Sequence, residues 1–235
     1  MMELTYIHHS CYLAEDDQCI LVFDYWQDPQ GMLHQRLQSS TKQIYFFVSH
    51  FHQDHYNPEI FSWQLSQDAP APRHIISYDT RKRHHILPAQ YTAVLHPDET
   101  YSDELLSVTA FRSTDVGVSY LVKTCDTTLF HAGDLNNWYF DTPNELLKIS
   151  PDEMEGLYLS ILRDISRSTP AITHVMLPID PRLGRNDLRG VTQFLTHITT
   201  RELYPMHTWE EDISSQIQNL AELFCSTRFH PLHEN

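Results

Sequence analysis

Apolar and polar residues alternate along the first half of the chain in a pattern that predicts β-strands. Two β-rich runs, residues 4–14 and 19–26, flank the polar segment 15–18, and this arrangement is typical of a hairpin. The uninterrupted apolar run 44–48 predicts a fully buried strand. The other elements predicted here are strands at 74–78, 91–95 and 105–111, a short helix within 27–41, helices starting at Asn57 and at 79, and a hairpin of 118–123 with 127–130.

In the second half the pattern changes to alternating helices and strands. Residues 151–166 carry apolar side chains at helical spacing. The remaining predicted elements are helices at 143–148, 187–199 and 214–224 and strands at 174–178 and 203–206. Strand-rich halves that are closed by helices favour two packed sheets with helices outside, an α/β or α+β sandwich. Because no repeat or long linker interrupts the pattern, residues 1–235 are predicted to form one domain.

Three histidines and an aspartate follow the predicted strand 44–48 directly, in the segment 49–55 (Ser-His-Phe-His-Gln-Asp-His). On an extended backbone His50 and His52 point to the same side. The turn that follows can bring Asp54 and His55 round to face a second point. Imidazole nitrogens with a carboxylate suit zinc, and a strand end is rigid enough to hold them. The segment therefore predicts a metal site.

Two later positions can complete this site. Asp134 follows the predicted strand 127–130, and Gly133 permits a tight turn that aims the carboxylate inward. His207 also follows a short apolar run. Together with the first cluster these residues supply four histidines and two aspartates, enough for two metal ions if one carboxylate bridges them. Two ions about 3.5–4 Å apart would hold a bridging hydroxide as the nucleophile.

The net charge restricts the classes of partner. The chain has 16 Lys and Arg against 31 Asp and Glu, a formal net charge of −15. Nucleic-acid binding depends on cations that neutralise phosphates, so nucleic acid is disfavoured, and an anionic membrane is disfavoured on the same grounds. The compact basic cluster at residues 81–85 is predicted to be a solvated helix face.

The chain shows no signal peptide and no apolar run long enough to cross a bilayer. Its four cysteines are scattered without a Cys-x-x-Cys pair, as expected for reduced thiols. We therefore expect a cytoplasmic protein that acts on a small molecule.

The histidine cluster at 50–55, followed by Gly133-Asp134 and His207, resembles the metallo-β-lactamase superfamily. Residues 131–134 and 205–207 are most similar to the branch that includes ascorbate-6-phosphate lactonase, and the resemblance spans nearly the whole chain. It implies a four-layer αβ/βα sandwich and a hydrolase that uses two zinc ions. The ligands it implies are His50 and His52 for the first ion, Asp54, His55 and His207 for the second, and Asp134 as the bridge.

One departure from that family affects the first ion. The family supplies a third histidine from a loop between the cluster and the Gly-Asp turn, but residues 111–117 contain none. Asp115 is predicted to take its place, and His131 is the other candidate. The alternative interpretation is that Asp115 caps a turn. A weaker first site could leave one ion bound, or favour manganese or iron over zinc.

The predicted reaction is hydrolysis of a small ester, lactone, amide or phosphoester. Asp54 and Asp134 are the predicted catalytic residues, because they hold the metals and can accept the proton of the attacking water. Two other classes stay open. A nuclease of the same superfamily is disfavoured by the charge, whereas an iron-binding redox protein is favoured by the missing third histidine. A non-catalytic metal protein is disfavoured, because six of the ligands are retained.

Some further residues are candidates for the surroundings of the site. Asp24 is predicted either to accept a hydrogen bond from a ligating histidine or to occupy a turn. Residues 8 and 9, both histidine, either reach the site or are structural, which is the commoner outcome. The segment 136–140 either walls the substrate pocket or packs in the core, and Arg182 and Arg185 could offer cations to an anionic substrate.

Overall fold

The computed structural model describes residues 1–141 and 149–232 of the chain. The strands of the described residues are, in chain order, β1 (Glu3–His8), β2 (Cys11–Glu15), β3 (Cys19–Phe23), β4 (Gln43–Val48), β5 (Arg73–Ser77), β6 (Ala93–Leu95), β7 (Thr100–Ser102), β8 (Leu106–Arg112), β9 (Val118–Thr124), β10 (Thr128–His131), β11 (Ala171–Pro178), β12 (Thr199–Met206) and β13 (Arg228–Phe229). The α-helices are α1 (Met32–Ser39), α2 (Tyr78–Arg83), α3 (Pro151–Ser168), α4 (Arg189–His197) and α5 (Ser214–Leu223).

These strands form two sheets. The first has the order β1-β2-β3-β4-β5-β6, and the second has the order β13-β12-β11-β10-β9-β8-β7. The first sheet is antiparallel from β1 to β3 and parallel from β3 to β6. The second is antiparallel from β7 to β10 and parallel from β10 to β13. In each sheet the parallel strands therefore end at the same edge, where loops can bring side chains together.

The main core lies between the two sheets. On β4, Tyr45 and Phe47 face this core, while Ile44, Phe46 and Val48 face the opposite side, so both faces of the strand are buried. This explains why the run is continuously apolar instead of alternating. Leu33 and Leu37 of α1 cover the outer face of the first sheet, and residues of α3 and α4 cover the outer face of the second. The predicted four-layer sandwich is confirmed.

Helix α3 begins where its sequence indicates. The Ser150 hydroxyl accepts a hydrogen bond from the backbone N–H of Glu153, and the Glu153 carboxylate accepts one from the backbone N–H of Ser150. Pro151 occupies the first turn, where its missing N–H has no partner to lose. The buried stripe consists of Met154, Tyr158, Ile161, Leu162 and Ile165.

Several predicted boundaries are wrong. The run 4–14 is two strands, β1 and β2, which pair with each other through a turn at His9 and Ser10. The turn was missed because no glycine, proline or asparagine marks it. His9 makes the turn with a φ of 53°. The helix predicted from Asn57 is only the 3-10 turn Pro58–Phe61, and β7 was missed because it has three residues. The helix predicted at 143–148 lies outside the described residues.

No helix in the described ranges has both the length and the apolar character needed to cross a membrane. The four cysteines are free thiols, two of them buried and two exposed.

Candidate metal centre

The predicted ligands lie at the ends of strands in both sheets. His50, His52, Asp54 and His55 occupy the loop after β4 of the first sheet. Asp134 follows β10, Asp115 lies between β8 and β9, and His207 follows β12, all in the second sheet. The structure brings these seven residues to one place between the sheets.

One group of ligand atoms contains His50, His52, Asp115 and Asp134, whose atoms all lie within 4.8 Å of one another. The Nε2 atom of His50 is 3.1 Å from Nδ1 of His52 and 3.4 Å from Oδ2 of Asp134. The Nδ1 atom of His52 is 3.5 Å from Oδ2 of Asp115. Asp115 therefore lies at the position for which the sequence predicts it, and its use as a ligand stays a prediction.

A second group contains His9, Asp54, His55 and His207, again with ligand atoms within 4.8 Å of one another. Oδ2 of Asp54 is 3.3 Å from Nε2 of His9 and 3.9 Å from the Nε2 atoms of both His55 and His207. Three of these residues are among the predicted ligands of the second ion.

Asp134 lies between the two groups. Its Oδ2 faces His50 at 3.4 Å, and its Oδ1 faces His55 at 3.1 Å and His207 at 3.4 Å. The two oxygens of one carboxylate thus point to different groups, which is the arrangement that a bridging ligand requires.

Hydrogen bonds from outside the centre fix the tautomers of two histidines. Oδ2 of Asp24 accepts from Nδ1 of His55 at 2.7 Å and from the Ser49 hydroxyl at 2.5 Å. Because that hydroxyl donates to Asp24, its oxygen accepts the bond from Nδ1 of His50 at 2.9 Å. In the neutral rings of His50 and His55 the lone pair therefore lies on Nε2. That of His50 faces Nδ1 of His52 at 3.1 Å, and that of His55 faces Asp134 at 3.1 Å. The prediction that Asp24 accepts from a ligating histidine agrees with its contact to His55.

Asp180 has the same role beside His207. Its Oδ2 accepts from Nδ1 of His207 at 2.9 Å, so the Nε2 lone pair of His207 faces the centre. Arg182, considered as a cation for an anionic substrate, instead pairs with Asp180 and lies over the ring of Trp209 at 4.5 Å. Its charge is thus largely compensated within the protein. Arg185 pairs with Asp141 at 2.8 Å on the surface.

The centre is built for positive charge. Buried Nε2 atoms of His9, His55 and His207, together with Oδ1 of Asp134, have no hydrogen-bond partner. Burial would raise the pKa of Asp134, but His55 and His207 lower it well below its usual value. Burial would likewise lower the pKa of His55, but Asp134 and Asp24 raise it well above its usual value, so that without an ion a proton holds the Nε2 position that a metal would take. Unpaired imidazole lone pairs facing ionised carboxylates are the donor set of a transition-metal ion, so the residues present fit the metal that the sequence implies.

Two glycines let the loops approach this closely. A Cβ on Gly117 would lie 2.1 Å from the backbone oxygen of Ser49 and 2.5 Å from Cβ of His50. A Cβ on Gly133 would lie 2.7 Å from the Ser49 side chain. Both glycines have positive φ, 70° and 53°, which other residues adopt only at a cost. Glycine at these positions is therefore required by packing against the loop that carries His50.

Solved structures with this architecture include Igni18, a metallo hydrolase from the archaeon Ignicoccus hospitalis, with a TM-score of 0.70 at 15% identity over 97% of this chain and 94% of that one. They also include the metallo-β-lactamase fold protein YhfI from Bacillus subtilis, with a TM-score of 0.64 at 12% identity over 97% of this chain and 95% of that one. The chain has the metallo-β-lactamase fold. No protein-family model matches the sequence, and no curated protein matches it.

The metallo-β-lactamase fold also occurs in a protein with different chemistry. CmlA, a diiron β-hydroxylase from Streptomyces venezuelae, has a TM-score of 0.61 at 14% identity, over 99% of this chain and 53% of that one. At such identities the likeness establishes the fold, and the chemistry must be argued from the site.

His131, the other candidate for the missing ligand, has no free ring nitrogen. Its Nε2 donates to the backbone oxygen of Ser10 at 2.9 Å, and its Nδ1 accepts from the backbone N–H of Gly133 at 3.2 Å. Its ring stacks on Phe23 at 5.0 Å. These contacts make His131 a structural residue that joins the sheets, and they leave Asp115 as the candidate for the first group.

His9 is the site residue for which a structural role was the commoner expectation. Nothing local to residues 8 and 9 tells which of the two histidines turns inward. Their position just before β2 was a signal, because β2 pairs with β3, and β3 ends directly before Asp24 beside the centre. The structure places His9 in the second group and His8 outside both groups.

The segment 136–140 packs in the core through Trp138, and its part in a substrate pocket stays a prediction. Trp138 is buried, its indole N–H donates to the backbone oxygen of Asp134 at 3.0 Å, and its ring lies 5.7 Å from that of His207. Trp138 therefore packs the centre from one side. Asn137 instead points away from it and donates to Gln193 at 2.9 Å.

Proposed function

We propose that the protein is a metal-dependent hydrolase of a small ester, lactone, amide or phosphoester, with two ions in the centre. The observation that carries this proposal is the pair of adjacent ligand groups with the Asp134 carboxylate between them. The likeness in fold to a metallo hydrolase supports it. Zinc is the proposed metal, because imidazole and carboxylate together suit it.

A bound ion would supply Lewis acidity, which lowers the pKa of a ligated water and polarises the bond to be broken. The protein's own residues orient the donors. Asp24 and Asp180 hold the Nδ1 protons of His55 and His207, so the Nε2 lone pairs stay directed inward. Asp54 and Asp134 are the carboxylates next to these imidazoles and are the proposed acceptors of the proton from the attacking water.

The surroundings of the centre favour a small anionic substrate. In this acidic chain, the basic residues of α2 lie beside the metal-binding loop, since Arg83 lies over the ring of Phe51 at 5.6 Å and His84 contacts the Phe51 carbonyl at 3.1 Å. A compact positive patch next to a hydrolytic centre attracts phosphate or carboxylate groups. The resemblance of residues 131–134 and 205–207 to the ascorbate-6-phosphate lactonase branch points to the same class. Free thiols are consistent with action in the cytoplasm.

The test is a substrate screen on protein purified without chelator. The panel contains lactones, phosphodiesters, phosphomonoesters and β-lactams, each assayed after zinc, manganese or iron is restored. We expect turnover that chelator abolishes and that metal returns, with Asp134→Ala inactive and His8→Ala active. Metal analysis that finds no tightly bound transition metal in the purified protein would overturn the proposal.

A second candidate is an iron-dependent redox protein. It is favoured by the carboxylate of Asp115 in the first group, because carboxylate ligands suit iron, and by the likeness in fold to a diiron β-hydroxylase. Electron paramagnetic resonance of anaerobically purified protein separates the two candidates. Signals of a coupled iron pair support the redox protein, whereas a silent spectrum with stoichiometric zinc supports the hydrolase.

A further inference from the structure

The two ligand groups differ in their chemistry. The first combines two imidazoles, His50 and His52, with the carboxylates of Asp115 and Asp134. The second group combines three imidazoles, the third being that of His9, with the carboxylate of Asp54, and Oδ1 of the bridging Asp134 also faces it. Imidazole nitrogen favours zinc and its neighbours in the transition series, whereas carboxylate oxygen favours harder ions such as manganese. The two sites are therefore expected to bind different ions with different affinity.

The position of His9 fits a ligand. Its Nε2 is 3.3 Å from Oδ2 of Asp54, and its ring lies 4.3 Å from that of His207. Two donors at about 2.0–2.1 Å from a tetrahedral zinc ion lie about 3.3 Å apart. His9 and Asp54 are already at that separation.

A structural role does not account for this side chain. His9 is 4% exposed, and its Nε2 makes no hydrogen bond of good geometry; the polar atom that it faces, Oδ2 of Asp54 at 3.3 Å, is another donor of the second group. By contrast, both ring nitrogens of the structural His131 are hydrogen-bonded. Buried polar atoms without a partner are rare, and a bound ion is one explanation for them.

The backbone also holds His9 toward the centre. Its φ is 53°, a left-handed conformation that is costly for a non-glycine residue and is found preferentially at functional sites. Its carbonyl oxygen accepts the backbone N–H of His207 at 3.1 Å, and His207 itself has a φ of 61°. One hydrogen bond therefore fixes the relative position of two members of the second group.

We propose that His9 is the third imidazole ligand of the second site, which binds zinc first and tightly, while the carboxylate-rich site of Asp115 binds a second, harder ion more weakly. The inference rests on the metal centre of the proposed function. It is tested by metal binding, so it can fail or succeed independently of hydrolysis.

The experiment titrates metal-free protein with zinc in competition with a chromophoric chelator. We expect two binding steps of unequal affinity in the wild type. His9→Ala should weaken the tighter step by at least about 100-fold, since even indirect partners of metal ligands contribute 10–100-fold. Asp115→Ala should weaken only the weaker step, and Asp115→His should strengthen that step for zinc. An unchanged tighter step in a folded His9→Ala protein overturns the proposal.

His8→Ala is the matched control. His8 is the neighbouring histidine and is nearly as buried, with a side-chain exposure of 12% against 3% for His9, but it faces Glu210 at 3.6 Å and belongs to neither group. It should leave both steps unchanged. A loss of zinc affinity in His8→Ala equal to that in His9→Ala would show a general effect on the turn and would overturn the assignment.

A measurement on the wild type covers the case in which the variants do not fold. X-ray absorption at the zinc edge, on protein loaded with one equivalent of zinc, counts the imidazoles around the first ion bound. Three imidazoles support the proposal, and two overturn it. Addition of manganese to this protein should give the paramagnetic resonance of bound manganese without releasing zinc, whereas release of zinc contradicts separate sites.

Discussion

Asp24→Asn should weaken metal binding without altering any predicted ligand. Asp24 is 1% exposed and accepts three hydrogen bonds, from the backbone N–H and the hydroxyl of Ser49 and from Nδ1 of His55. Its φ of 45° is one that asparagine also tolerates, so the shape of the site is kept. The substitution replaces one accepting oxygen by a donating NH₂ group.

Either orientation of the new amide breaks the network. If the NH₂ group takes the place of Oδ2, it donates toward His55 and shifts the imidazole proton to Nε2, where it blocks the lone pair meant for the metal. If the group takes the place of Oδ1, it meets the Ser49 N–H, a donor against a donor 2.7 Å away. Loss of an orienting partner reduces metal affinity by roughly 10–100-fold, about 1.4–2.7 kcal/mol. Since Asp24 orients His55 directly and His50 through Ser49, we expect the upper end of this range.

The assay is chelator competition on metal-free Asp24→Asn, with Asp28→Asn as the matched control. Asp28 is also a buried carboxylate paired with a histidine, at 3.1 Å from Nδ1 of His34, but it lies outside both ligand groups. Asp28→Asn should retain wild-type zinc affinity. The reasoning is refuted if Asp24→Asn binds zinc as tightly as Asp28→Asn does while both proteins are folded by circular dichroism.

Two further predictions concern stability. Gly117→Ala should lower the free energy of unfolding by more than about 2 kcal/mol and weaken metal binding, because the methyl group meets the backbone of the metal-binding loop. Gly156→Ala, in helix α3 with open space around it, should instead stabilise by up to about 1 kcal/mol, and chemical denaturation that shows equal effects would contradict this. In the folded state burial would raise the pKa of Asp103, but hydrogen bonds from backbone N–H groups and from Arg73 lower it. Its stabilising contribution is therefore present above the unfolded pKa of about 3.9 and is lost as pH falls through the lower folded value. Asp103→Asn should reduce the fall in melting temperature at acid pH, whereas Asp17→Asn, at an exposed position, should leave it unchanged. An unchanged fall in Asp103→Asn would disprove the assignment.

Local patterns in the sequence predicted many elements of the fold. The apolar run at 44–48 predicted a strand that is buried on both faces, and the helical spacing of apolar side chains in 151–166 predicted α3. These features depend on neighbours a few residues apart, so the sequence displays them directly. The same is true of His50, His52, Asp54 and His55, whose short spacing on one loop already indicates a shared site.

Only the tertiary structure shows which distant residues join this cluster. His9 and His207 come from opposite ends of the chain and meet only because β1 and β2 turn back at the edge where β12 also ends. No local spacing connects them. The structural role of His131 was visible only in the same way, since hydrogen bonds to Ser10 and Gly133 occupy both of its nitrogens, and Asp115 stays the predicted ligand.

The sequence by itself therefore determined the two-sheet sandwich and the cluster of candidate metal ligands at its strand ends. Only the tertiary structure decided which histidines keep a free lone pair. The physical reason is that a histidine ligand is defined by what its second nitrogen contacts. Asp24 and Asp180 make those contacts from the end of the neighbouring parallel strand, 31 and 27 residues away along the chain.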